Sequence, residues 1–200
     1  MRQILTTIPV AHLVQPVILG AVLAFLTANI IMNAAVKAMS TTVNGWSIIL
    51  KCGQPGNGIA LRAGCAKILP AINVAQEAAY WTTVVDGAGR TLNGHRDYVL
   101  HFPVGELPPN EAFWSLTITD VAGYMVRNAT DRSTLGSRSG LLPNADGSID
   151  IYIQRTAPAG HESNWLPAPT GKLKLMLRAY LPGRAVLDGE YHVPPVVEVH

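Results

Sequence analysis

Carboxylates are absent from the first third of this 200-residue chain: the first acidic residue is Glu77. Residues 1–76 carry five basic side chains (Arg2, Lys37, Lys51, Arg62, Lys67) and a net charge of +5, whereas the remainder carries −3. This basic zone suits anionic lipid headgroups. It is too sparse for a nucleic-acid footprint, which needs clustered Lys and Arg, so no nucleic-acid partner is expected. Cysteine is nearly absent too, with Cys52 and Cys65 alone.

Catalytic signatures are also missing. The nearest match to a nucleophile elbow, Gly136-Ser137-Arg138-Ser139-Gly140, has arginine where the nucleophile belongs. The glycine-rich Gly53–Gly58 segment lacks the Lys and Ser/Thr of a phosphate loop. His95, His101, His161 and His192 are well separated, and no calcium-type ligand loop surrounds Asp146 and Asp150. Glu106, Glu111 and Glu162 offer no paired placement that sequence can test. No cofactor, metal or catalytic set is expected. There is no internal repeat and no alternation of strands and helices of the nucleotide-binding kind.

Charge is missing once more between Val17 and Val36, in VILGAVLAFLTANIIMNAAV. At about 1.5 Å per residue this stretch spans roughly 30 Å, the thickness of a bilayer's hydrocarbon core. Three readings compete: a single-pass signal anchor, a signal peptide cleaved after Ala38 (Val36 and Ala38 at the −3 and −1 positions), and a buried globular helix. The length favours the anchor, because a signal-peptide core has 7–15 apolar residues, and no polar face marks a globular helix. Positive charges near the two ends tie, so orientation rests on the cysteines. A Cys52–Cys65 disulfide would require an oxidising compartment; two separate buried thiols are the alternative. The anchor reading places the protein in the inner (cell) membrane, with its C-terminal domain periplasmic or extracellular.

Past the anchor, three tetrapeptides repeat one pattern of Asx, two residues and glycine: Asp86–Gly89, Asp120–Gly123 and Asn144–Gly147. Asx at the first position and glycine at the fourth fit type I turns with a left-handed exit. Each is flanked by β-rich runs: Ala78–Val85, Asp97–Phe102, Ala112–Thr119, Tyr124–Val126 and Ser148–Ile153. Together they predict a series of hairpins. Lys172–Leu181 is the clearest strand. Leu173, Leu175, Leu177, Ala179 and Leu181 share its core face, and Lys172, Lys174, Met176, Arg178 and Tyr180 share a face that is wet or meets a ligand. One short helix is expected over Ile59–Ala71. The division is therefore 1–39 for tail and anchor, 40–75 for linker and short helix, and 76–200 for a mainly β domain of jelly-roll-like sandwich type.

Several runs of the C-terminal half resemble the domain of unknown function 1214 family: Ala112–Asp120 (AFWSLTITD), Leu142–Ser148 (LPNADGS), Ser163–Pro169 (SNWLPAP), and Leu177–Tyr180 with Ala185–Gly189. The likeness extends from about Gln76 to Val197. It implies a jelly-roll sandwich and a place in a bacterial envelope. It carries no catalytic residues over, since the family's activity is unknown.

The candidate ligand residues are Trp165 as a stacking face, Asn164 as an amide, Arg132 and Arg178 as guanidinium forks, and Tyr124. A Trp between turns more often plugs the end of a sandwich. The leading functional expectation is a membrane-anchored envelope protein whose β domain is a binding or assembly module. Its expected partners are the lipid bilayer, an envelope glycan or anionic small ligand, and a second copy of itself. The alternative is an enzyme acting on envelope glycans or lipids near Trp165.

Overall fold

The computed structural model describes residues 10–69, 72–126, 128 and 130–199, with side chains from Val14 onward. Residues 1–9 of the expected anchor segment, Ala71 at the end of the predicted short helix, and His200 lie outside these.

Apolar composition without charge makes the first element, helix α1 (Val10–Met39), with Lys37 in its last turn, where a cation favours the helix dipole. It is long and apolar enough to cross a membrane. Every described side chain from Val14 to Ala28 is exposed; from Asn29 on, a stripe of Asn29, Met32, Ala35 and Val36 is half-buried. The buried-helix alternative therefore has no support over Val14–Ala28.

Strands β1 (Thr41–Val43) and β2 (Trp46–Ile48) pair antiparallel around Asn44-Gly45. Both turn residues have positive φ (54° and 84°), the geometry for which Asn-Gly is the preferred pair. Helix α2 follows (Ile59–Ile68); Leu69, which precedes Pro70, leaves the helical region at φ −138°, ψ 77°, as a pre-proline residue should. Cys52 and Cys65 are bonded, tying the start of this segment to α2 with Cα atoms 5.7 Å apart.

The β domain continues with β3 (Ala78–Thr83), β4 (Asp97–Phe102), β5 (Asn110–Asp120), β6 (Thr134–Gly136) and β7 (Ile149–Gln154). It closes with β8 (Trp165–Pro167), β9 (Leu173–Pro182), the short helix α3 (Arg184–Leu187) and β10 (Val196–Val199). They form two sheets, ordered β1-β2-β3-β9-β5-β6 and β10-β4-β7-β8. All pairings are antiparallel except β7 with β8.

One core lies between the sheets. Trp81, Trp114, Leu116, Ile118, Leu173, Leu175 and Leu177 from the larger sheet meet Tyr98, Leu100, Phe102, Ile151, Ile153 and Leu166 from the smaller. The rings of Phe102 and Trp114 cross the interface at 5.6 Å. Each fully buried Leu, Ile or Phe stabilises the fold by roughly 1.5–3 kcal/mol relative to exposure. The period-two pattern of β9 holds from Leu173 to Tyr180. It then fails, because Leu181 takes a positive φ (49°) and is exposed, and Pro182 is buried in its place. The partner strand slips in register between Asn110 and Phe113 at the same point.

The three Asx–Gly tetrapeptides are reverse turns: the glycine N–H donates to the Asx carbonyl at 2.9, 3.1 and 2.9 Å. The glycine φ values are 79°, 94° and 86°. The predicted series of hairpins is different from what is present. After the Asp86 turn the chain pairs back only through a short antiparallel bridge between Val85 and Thr91, then leaves the larger sheet (β3 pairs with β2 and β9) and enters the smaller (β4 pairs with β7 and β10). The Asp120 turn reaches only a bridge between Thr119 and Met125, not a strand over Tyr124–Val126. A turn tetrapeptide encodes a reversal; the strand partner is chosen by which sheet buries the following apolar face.

Candidate functional site

The outward row of the larger sheet follows from its register. Tyr80 and Thr82 of β3 lie beside Arg178 and Met176 of β9, and Thr117 and Thr119 of β5 lie beside Met176 and Lys174. This is the face opposite Leu173, Leu175 and Leu177, so it points away from the core.

Helix α2 covers part of that face and runs antiparallel to the end of α1. Gly64 sits against α1 so closely that a Cβ there would stand 2.9 Å from the Met32 carbonyl oxygen. One turn further, Lys67 Nζ donates to Asn29 Oδ1 (2.8 Å) and Asn33 Oδ1 (3.3 Å). Asn29 and Asn33, the two polar breaks in the apolar run, thus receive the ammonium of the neighbouring helix.

Between helices and sheet lie two cavities of about 550 and 480 Å³ that share Ile68, Leu69, Tyr80 and Lys174 in their walls. They form a trough. Its cations are Lys37, Lys67, Lys174 and Arg178, and no carboxylate lines it among the described residues. Val36, Ile49, Leu69 and Met176 supply apolar wall. None of these four cations has a carboxylate partner among the described residues. Arg178 Nη2 donates to Thr117 Oγ1 at 2.8 Å, while its Nε is buried and meets no acceptor among the described residues. Tyr180 beside it is held by stacking on Phe113 (4.3 Å), whose ring also carries the Arg138 guanidinium at 4.3 Å.

The five ligand residues expected from sequence are not one constellation. Asn164, Trp165 and Arg132 come together, and their polar atoms serve backbone. Buried Asn164 donates to the carbonyls of Leu142 and Asp150 and accepts from the Leu142 N–H, each at 2.8 Å. Trp165 Nε1 donates to the Gln154 carbonyl (2.8 Å), and Arg132 Nη1 donates to the carbonyls of Glu162 and Trp165. Arg178 lies apart, on the outer face of the other sheet. Tyr124 is exposed at the tip of the Asp120 turn, between Gly123 and Met125, which do line the trough.

Lys37, Lys67, Lys174, Tyr80 and Met176 were not singled out as ligand residues by sequence. Two signals pointed their way: the excess of bases before Glu77, and the polar face of Lys172–Leu181. What joins them is the α1–α2 contact, which no local pattern announces.

A second cluster lies on the smaller sheet. His101 Nδ1 meets Asp150 Oδ1 at 2.6 Å, and Asp150 Oδ2 accepts from Asn144 Nδ2 at 2.9 Å. Burial, reinforced by the Asp150 charge, pushes the Tyr152 hydroxyl above its ordinary pKa. Among the described residues no three His, Cys, Asp or Glu side chains converge as a metal site.

The profile of the family described as Protein of unknown function (DUF1214) matches residues 77–184. Among solved structures, the VPA0106 protein from Vibrio parahaemolyticus is similar at 27% identity and TM-score 0.61, over 70% of this chain and 35% of that one. An uncharacterised protein from Burkholderia cenocepacia matches at 17% identity and TM-score 0.43, over 60% of this chain and 30% of that one. The chain thus spans about a third of the length of these solved relatives. No curated protein matches.

Proposed function

The chain belongs to the DUF1214 family of proteins of unknown function, and from that premise we propose that it is a single-pass, membrane-tethered module of the cell envelope that binds an anionic ligand in the trough. The observation that carries this reading is the set of four cations, without a lining carboxylate among the described residues, in a walled cavity. Coulomb attraction at a partly buried site exceeds that at an open surface because the effective dielectric is lower. The enzyme reading near Trp165 has less support, because the side chains it would use are engaged with backbone carbonyls.

The tether reading rests on α1. Its bare segment ends where α2 begins to pack, at Asn29. The apolar run Val17–Val36 lies within Val14–Met39, which is long and apolar enough to cross a membrane; we place the lipid-facing part before Asn29, where the described side chains Val14–Ala28 are exposed. Lys67, bound to Asn29 and Asn33, would sit at the surface. The Cys52–Cys65 bond supports an oxidising side for the β domain, periplasmic or extracellular.

The test is anion binding by the full chain in detergent, read by calorimetry with glycerol phosphate as the probe. The reading expects binding that weakens roughly tenfold in Arg178→Gln, as for one lost charge-assisted hydrogen bond. Equal binding by wild type and an Arg178→Gln, Lys174→Gln double variant would overturn it.

A further inference from the structure

We propose that the occupant of the trough is a membrane phospholipid whose phosphate is held by Arg178 and Lys174, with its tails leaving toward the bare segment of α1. This rests on the anion-binding reading above and narrows it to a lipid. Three observations carry it.

The first is place. Lys67 lines the trough and is bonded to Asn29, where the exposed apolar stretch of α1 ends. A cavity opening at that level opens where a bilayer's headgroups would lie. Asn33, Val36 and Lys37, on the turns just beyond, form its wall.

The second is chemistry. A phosphodiester presents two non-bridging oxygens that match a guanidinium fork, and a lysine beside it supplies a compact charge. Arg178 is pre-set by its bond to Thr117, and its Nε is a buried donor without an acceptor among the described residues. Leaving such a donor unmet is unfavourable, and a phosphate oxygen drawn alongside would offset that cost.

The third is the mixed wall. A free phosphate needs only donors, whereas this trough also offers Val36, Ile49, Ile68, Leu69, Ile72, Met125 and Met176. Met125, which lines it from the Asp120 turn, is exposed as well. Apolar wall beside the cations suits the glycerol and first methylenes of a lipid, whose burial is favourable.

The experiment is native mass spectrometry of the full chain in mild detergent, titrated separately with phosphatidylglycerol, phosphatidylcholine and glycerol phosphate. The proposal expects one phosphatidylglycerol per chain to be retained in preference to phosphatidylcholine. Arg178→Gln and Lys174→Gln should each lower that retention about tenfold. Arg184→Gln, an equal charge change at an exposed position of α3, should leave it unchanged. If glycerol phosphate binds and phosphatidylglycerol binds no better, the lipid proposal fails and the anion-binding reading stands. If neither binds, both fail. If phosphatidylglycerol is retained equally by the wild type and both trough variants, the lipid rides on α1 alone and the proposal fails.

Discussion

Asp86 is the residue on which the crossing from one sheet to the other depends. Its carboxylate is buried and accepts the backbone N–H groups of Ala88 and Arg90 (3.0 and 2.9 Å) and the Arg90 guanidinium. Arg90 in turn pairs with Glu198 of β10, so the turn, β10 and Arg96 form one charged network. Burial alone would raise the Asp86 pKa; the Arg90 backbone and side chain and the Ala88 N–H outweigh it and hold the group below its ordinary value. A lowered folded-state pKa means this stabilisation is complete above the unfolded value of about 3.9 and is lost as pH falls through the lower folded value. Asp86→Ala, which leaves two amide donors without their acceptor, should lose about 2 kcal/mol in urea denaturation at neutral pH. It should also flatten the acid limb of the stability curve below about pH 4. Unchanged stability would contradict this. Asn164→Ala should lose a similar amount, about 2 kcal/mol, while anion binding in the trough stays intact; loss of binding with normal stability would restore Asn164 to a ligand role. Residue types were readable in advance, but their employment was not. Asn164 and Trp165 looked like ligand groups because nothing in a linear chain tells which backbone carbonyls will come within reach.

At the scale of elements, β4 was legible to the residue, because a strand with one buried face prints its period of two. The end of β9 was not. Leu181 continues the apolar alternation on paper, yet the chain turns left-handed there and presents it to solvent. A bulge is a property of the paired strands, and the slip lies across from it, between Asn110 and Phe113. Leu181→Gly relieves a positive φ in an exposed side chain and should leave stability unchanged or raise it by up to about 1 kcal/mol. A loss of that size would mean the leucine packs. Helix α2 owes its position to the Cys52–Cys65 bond, to a small apolar cluster with Leu61, and to Gly64 against α1. A Gly64→Leu side chain would enter the space of Val36 and Met32. Hydrogen exchange should then show α2 amides losing protection while β9 amides keep theirs. Equal α2 protection in the wild type and the Gly64→Leu variant would refute the close contact.

At the scale of the molecule, mainly β architecture and an apolar N-terminal helix followed from composition and period, and family membership followed from motifs spread over the C-terminal half. The trough did not. It is made by parts far apart in the chain, chiefly the end of α1, α2 and the outer face of β3, β9 and β5, and its traces in the sequence are the run of bases without an acid before Glu77 and the polar face of Lys172–Leu181. Its proposed role requires that α1 lie in the bilayer. The most direct measurement is alkaline carbonate extraction of membranes from cells making the full chain, with the intact mass of the protein recovered. The account predicts a membrane-bound chain of the full 21.4 kDa. Release into the aqueous fraction, or a mass matching cleavage after Ala38, would contradict it.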